Sequence, residues 1–240
     1  MSLETNTPDL SLPDEVRAGT FVVIAAYNEA ACIEQVARQV RERFPNVVVV
    51  DDGSRDVTFE AARKGAAYAL RHALNRGQGA ALQTGIEFAL RKGATYIVTF
   101  DADGQHRVED IPAMVGPIVR GECDITLGSR FLGGVENIPA SRRRMLRLAV
   151  LFTRWVNRMN VTDAHNGLRA FSRRAAERIH IQMDRMEHAS EMLDQIRQGG
   201  LPYREVPVCI RYTDYSLGKG QSSRNAIRIV FHYFLGKVLQ

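Results

Sequence analysis

Asp101 and Asp103 stand one residue apart at the end of the apolar run Val98-Thr99-Phe100, and Gly104, Gln105 and His106 follow them. In an extended segment residues i and i+2 point to the same side, so the two carboxylates converge on one small volume. Their mutual repulsion costs free energy unless a cation lies between them. A hard divalent ion with oxygen ligands meets that need, and Mg²⁺ in particular is usually held by one or two carboxylates together with substrate phosphates. A polar turn between strand and loop uses the same residue types, and only the rest of the chain separates the two readings.

The elements that must carry these residues alternate. Thr20–Ala26, Val47–Val50, Tyr68–Arg71, Tyr96–Phe100 and Ile125–Leu127 are short, largely apolar runs expected as strands. Helical periodicity covers Glu29–Arg43, with Ile33, Val36, Ala37 and Val40 on one face, then Asp56–Gly65, Gly79–Lys92 and Ile111–Arg120. Together they predict an α/β domain with a Rossmann-like, mostly parallel sheet flanked by helices. Beyond Gly134 the pattern changes. Ala140–Asn160 is expected as a long basic helix with six arginines among Leu, Phe and Trp, and Ser222–Leu239 as a closing amphipathic helix. Leu168–Ser172 and Tyr203–Ile210 read as extended and Glu187–Arg197 as helical. The expected organisation is a loose leader over 1–19, one main domain over 20–221 and a C-terminal helix over 222–240.

Length and composition fit this plan. The 240 residues suit one large α/β domain. A net charge of +5 and a pI near 9.3 favour anionic partners, among which no nucleic acid is expected. Cys32, Cys123 and Cys209 are far apart and lack metal-like spacing, so they are expected as free thiols in a reducing compartment. No signal peptide and no run of 18 or more apolar residues is present. The expected location is the cytoplasm, at the cytosolic face of a membrane.

In open α/β sheets ligands bind beyond the carboxyl ends of the strands, and polar clusters collect there. The first strand delivers Tyr27-Asn28-Glu29, the second Asp51-Asp52-Gly53-Ser54, and the fourth the Asp101 and Asp103 pair. Asn75-Arg76-Gly77-Gln78-Gly79 opens a helix whose N-terminal amides are suited to an anion. A nicotinamide fingerprint is disfavoured, because Leu82 occupies its third glycine position. Asn28 or Asp56 alone would pass as a helix cap; clusters at three strand ends are poorly explained that way.

In order, Ala25-Ala26-Tyr27-Asn28-Glu29, Val50-Asp51-Asp52-Gly53-Ser54, Asn75-Arg76-Gly77-Gln78-Gly79-Ala80-Ala81, Phe100-Asp101-Ala102-Asp103-Gly104-Gln105-His106, Gly128-Ser129-Arg130-Phe131 and Asn166-Gly167-Leu168-Arg169-Ala170-Phe171 resemble a family 2 glycosyltransferase of the GT-A fold. The likeness is to polyprenyl- and dolichyl-phosphate mannosyl- or glucosyltransferases and spans about Thr20 to Phe171. It implies an inverting sugar transfer from a nucleotide-sugar, a UDP- or GDP-hexose, with Mg²⁺ or Mn²⁺ at the diphosphate. Carried over, Tyr27, Glu29, Asp51 and Asp52 line the base and ribose pocket, with Ala26 and Ala102 in the same motifs and Arg76 over the nucleotide. Asp101 and Asp103 become the metal-associated acids, and Gln105 completes the metal shell.

The acceptor decides how the nucleophile is activated. A lipid phosphate is already anionic and needs positioning; Arg130 and the Arg142, Arg143, Arg144 run could cradle it. A sugar hydroxyl needs a general base, and Glu187 or Glu191 could serve. The family's downstream Gln-x-x-Arg-Trp motif, common with sugar acceptors, is absent around Trp155, which favours the phosphate. The arginine-rich helix has the composition of an interfacial segment attracted to anionic lipid. Both late helices could instead pack on the sheet, on an integral membrane partner or in a homodimer. Tyr212–Gln221 reads as a Gly-rich loop, either one that closes over the donor with Lys219 near phosphate or an ordinary surface loop. The leading expectation is hexose transfer to a polyprenyl phosphate. The second is the same donor chemistry onto a saccharide hydroxyl in cell-envelope polysaccharide synthesis. A sugar-1-phosphate nucleotidyltransferase is disfavoured by Ala25-Ala26-Tyr27-Asn28-Glu29 in place of a basic Gly-rich loop, and a silent nucleotide-binding protein by the presence of both acids.

Overall fold

The computed structural model describes residues 12–136, 150–151, 154, 157–163, 166–185 and 187–211. Seven strands form one sheet: β1 (Thr20–Ala26), β2 (Asn46–Asp51), β3 (Tyr68–Arg71), β4 (Tyr96–Asp101), β5 (Ile125–Glu136), β6 (Arg169–Ser172) and β7 (Tyr203–Arg211). Their spatial order is β3-β2-β1-β4-β6-β5-β7. β6 runs antiparallel to both its neighbours, and every other described pairing is parallel.

Helices cover both faces because alternate residues of the central strands are apolar in both directions. On one side Val22, Ile24, Val47, Val49 and Phe100 meet α2 (Ile33–Arg41), α3 (Thr58–Gly65) and α5 (Ile111–Val119). On the other, Phe21, Val23, Val48, Val50 and Ile97 meet α4 (Gln78–Arg91), α6 (Arg173–Ala176) and α7 (His188–Gln198). The α2 stripe Ile33, Val36, Ala37 and Val40 is buried as its spacing requires.

Three readings of the sequence are revised. The end of the supposed loose leader is a helix, α1 (Asp14–Gly19), whose Val16 carbonyl accepts the Thr20 hydroxyl at 2.7 Å. Gly128-Ser129-Arg130 is not the end of β5: the strand continues to Glu136 through a register shift against β7 between Ser129 and Gly134. A bulge of this kind uses the residue types that otherwise end a strand. Residues 29–32 precede α2 as a turn, with the Cys32 and Ile33 amides donating to the Glu29 carbonyl. Most of Ala140–Asn160, including Arg142 and Arg143, lies outside the described residues, as do Tyr212–Gln221, Ser222–Leu239 and the first eleven residues. Of the basic helix, Val150, Leu151, Arg154 and Asn157 are helical, while Arg158 to Asn160 are not.

Candidate active site

β1 has β2 on one side and β4 on the other, so the chain order reverses there and a crevice opens beyond the strand ends. The parallel register sets Ala25 beside Asp101 and Ala26 beside Asp51. A cavity of about 450 Å³ occupies this crevice, lined by Ala26, Tyr27, Glu29, Asp52, Asp101, Ala102, Asp103, Gln105 and Arg130. It also takes in Asn166, Gly167, Arg169, Arg185 and His188, which the sequence reading did not assign.

The two acids differ in their surroundings. Asp101 accepts from His106 Nε2 at 2.8 Å and from Gln78 Nε2 at 3.3 Å. Burial works against its charge, but His106, Arg169 and Arg130 outweigh that and hold the carboxyl below the usual range. Asp103 is pushed up to about 6, first by burial and then by the charge of Asp101, against which the Gln105 amide at 3.0 Å is the counterweight. The protein therefore compensates the Asp103 charge only in part. A divalent cation held by oxygen ligands from Asp101, Asp103 and the Gln105 side chain would supply the missing charge, and the hard donor set fits Mg²⁺ or Mn²⁺. Among the described residues no group of three or more His, Cys, Asp or Glu forms a metal cluster.

The backbone of the carboxylate loop is tied down from β7. The Arg211 amide donates to the Gln105 carbonyl at 3.1 Å, His106 bridges to Ile210, and the Cys209 amide donates to Asp110 Oδ2 at 3.0 Å. On the opposite wall, Arg130 Nε donates to Asp163 Oδ2 at 2.6 Å, in a pair that is almost wholly buried. Arg169 is also buried, with Nη1 3.0 Å from Met192 Sδ; burial lowers its guanidinium to about 10, so it stays charged at neutral pH.

Several assigned residues take other places. Asp51 is buried outside the cavity lining, accepting the Ser54 amide and pairing with Arg71 at 3.1 Å. Asp52 lines the cavity while its oxygens take the Arg76 and Gly77 amides at 3.0 and 2.6 Å and His72 Nδ1 at 2.8 Å. Its main structural work is to anchor the 75–77 loop. Arg76 leans outward toward Asp184, 3.8 Å away.

Part of the N-terminus of α4 is taken up by the protein itself. Its Gly79 and Ala80 amides donate to the Asp184 carbonyl at 2.7 and 3.4 Å. A Cβ on Gly77 would lie 2.2 Å from the Asp184 oxygen, and one on Gly79 2.1 Å from the Met183 oxygen. These glycines admit the 183–185 backbone. Glu191 also braces that segment: its carboxylate accepts the Gln182 and Met183 amides at 2.9 Å. Neither Glu187 nor Glu191 is among the lining residues. The same segment carries Arg185 into the cavity lining, and among the described residues Arg185 makes no ion pair.

A mostly parallel sheet with a carboxylate pair and buried arginines at its switch point defines an α/β protein with a site suited to a phosphate-bearing ligand. The sequence matches the glycosyl transferase family 2 model over residues 21–180, and the chain belongs to that family; it is a glycosyltransferase. It is 32% identical to the UDP-N-acetylglucosamine–dolichyl-phosphate N-acetylglucosaminyltransferase of Methanococcus voltae, over 91% of this chain and 97% of that protein. It is 29% identical to the polyprenol monophosphomannose synthase of Mycolicibacterium smegmatis, over 87% of this chain and 83% of that one. In fold it is similar to glucosyl-3-phosphoglycerate synthase from Mycobacterium tuberculosis, solved with Mn²⁺, UDP-glucose and phosphoglyceric acid. That likeness has a TM-score of 0.70 at 20% identity and covers 90% of this chain and 77% of the other.

Proposed function

We propose that this glycosyltransferase is metal-dependent and inverting, and moves a hexose from a nucleotide-sugar to a polyprenyl phosphate at the cytosolic face of a membrane. The observation that carries the reading is one cavity holding both an under-compensated carboxylate pair and, on another wall, the Arg130 guanidinium. The names of the relatives from Methanococcus voltae and Mycolicibacterium smegmatis support lipid phosphate as the acceptor class.

Asp101, Asp103 and Gln105 would hold Mg²⁺ or Mn²⁺, whose chemistry when bound is to neutralise charge on the departing nucleoside diphosphate. Asp52 fixes the donor-side loop through the Arg76 and Gly77 amides. Tyr27, Glu29, Ala26 and Ala102 bound the space left for nucleoside and sugar. Arg130 and Arg185 supply guanidinium donors for phosphate oxygens. A phosphate monoester is already ionised, so its oxygen attacks the anomeric carbon as the bond to the diphosphate breaks, with inversion and no general base. A hydroxyl acceptor needs a base, and both candidates, Glu187 and Glu191, lie outside the cavity lining. Among the described residues no helix is long and apolar enough to cross a membrane.

The test is release of nucleoside diphosphate from UDP- and GDP-hexoses, with and without metal and with and without a short polyprenyl phosphate. Release that requires both additions and yields the inverted product is the expected result. Release that ignores the lipid but responds to a saccharide overturns the acceptor assignment.

A further inference from the structure

Glu205 lies on β7, outside the cavity lining, yet its carboxylate is built into the support of Arg130. A single oxygen, Oε1, accepts the Thr162 amide at 2.7 Å, the Thr162 hydroxyl at 2.9 Å and the Asp163 amide at 3.2 Å. The Thr162 hydroxyl also meets Ser129 Oγ at 2.6 Å, and Ser129 immediately precedes Arg130. The short segment 162–163 is thus pinned to β5 and β7 together, where Leu127 pairs with Glu205. From that segment Asp163 Oδ2 accepts both the Arg130 side-chain Nε at 2.6 Å and the Arg130 backbone amide at 3.1 Å.

A bond at Nε, with a second to the same residue's backbone, fixes the plane of the guanidinium fork. That plane decides whether the fork meets a phosphate oxygen in line or obliquely. Because Asp163 offsets the charge of Arg130, the recognition of phosphate depends more on preorganised geometry than on net attraction. Asp163 owes its own position to backbone bonds that end on Glu205, and charge-assisted bonds to a carboxylate are the strong class.

We infer that Glu205 is a positioning residue for the acceptor phosphate, holding segment 162–163 so that Asp163 aims the Arg130 guanidinium into the cavity. This rests on the reading of Arg130 as the acceptor-phosphate cation. The residue touches neither substrate nor reacting atoms, and its effect passes through Asp163.

The experiment measures KM for a short polyprenyl phosphate, KM for the sugar nucleotide and the thermal midpoint, in Glu205→Ala, Glu205→Gln, Thr162→Val and Arg130→Lys proteins. Glu205→Ala is expected to raise the acceptor KM by roughly 10-fold, the size of one lost charge-assisted hydrogen bond, with the donor KM unchanged. Glu205→Gln keeps an acceptor oxygen and should recover most of that loss, and Thr162→Val, which keeps the backbone bonds, should fall between. If Glu205→Ala does not fold, the Gln and Val proteins carry the same comparison. An unchanged acceptor KM in the Glu205 and Thr162 proteins, with a raised one in Arg130→Lys, overturns the inference and leaves the reading of Arg130 standing. Equal losses for donor and acceptor with a lowered midpoint overturn it in favour of a purely structural role. An unchanged acceptor KM in Arg130→Lys removes the reading of Arg130, and the inference with it.

Discussion

The Asp101 carboxylate rests on Gly167: a Cβ at that glycine would lie 2.3 Å from Oδ1 and 2.4 Å from Oδ2. The Gly167 carbonyl is held in place by the Thr99 hydroxyl at 2.7 Å, so the contact has little room to relax. Gly167→Ala should therefore displace Asp101 while leaving the sheet intact. If Asp101 holds the proposed cation, a misplacement of about 1 Å costs about 100-fold, and sugar-nucleotide turnover beside a normal far-ultraviolet circular dichroism spectrum is the measurement. Turnover within a few-fold of the parent would mean the carboxylate tolerates the extra methyl.

Asp103 gives a signed pH dependence. Its pKa in the folded protein is raised from 3.8 to about 6, so the folded state holds a proton that the unfolded chain has released. Its contribution to stability is present below about pH 4 and is lost as pH rises through 6. The thermal midpoint of metal-free protein should fall across that window because of this residue, and Asp103→Asn should flatten the fall. Mg²⁺ or Mn²⁺ should raise the midpoint of the parent more at pH 7 than at pH 5. The same addition should do little to the Asn protein, and an equal response in both would detach the cation from Asp103.

Glu191 and a catalytic base make opposite predictions. As a brace for Gln182 and Met183, it needs acceptor oxygens and not basicity. Glu191→Gln should keep activity within a few-fold, whereas loss of a general base typically costs 100-fold or more. Glu191→Ala should lower the thermal midpoint by several degrees, from two backbone amides left without their acceptor. Steady-state rates with a saturating lipid acceptor, beside a melting curve, separate the two roles.

Arg185 enters the cavity without an ion-pair partner among the described residues. Arg185→Ala should raise the KM of a phosphate-bearing substrate by roughly 10-fold through loss of a charge-assisted contact. The melting curve should be unmoved, since no ion pair within the described structure is broken. A KM unchanged for both donor and acceptor would leave Arg185 as a solvated side chain.

Thr20–Ala26 and Tyr68–Arg71 were legible to the residue, because a short, largely apolar run and the polar residues that follow it are local signals. The acid pair was legible for the same reason. β5 was not, since a bulge and a strand end use the same glycine and serine. The 75–79 loop was legible only in part. Its glycines do permit close approach, but the group that approaches is the Asp184 carbonyl, distant in sequence. Arg185 lies in an irregular stretch with no periodicity to mark it, and only the docking of that stretch on α4 brings it to the cavity. Asp163 and Glu205 act through tertiary hydrogen bonds, which no local spacing encodes.

The backbone bonds from Ile210 and Arg211 to the carboxylate loop have a consequence for the order in which the molecule is assembled. β7 is an edge strand that pairs with β5 from far along the chain, and such non-local pairing forms late in folding because loop closure precedes its reward. During synthesis Asp101 and Asp103 leave the ribosome well before their tether exists. A stable sheet of β1 to β4 can therefore be present while the Gln105 loop still lacks its final register. Edge segments are also among the first to open in the native state. Competence to hold a sugar nucleotide is then the last property gained on folding and the first lost on mild destabilisation, so donor affinity should decline along a denaturant series before the helical signal does.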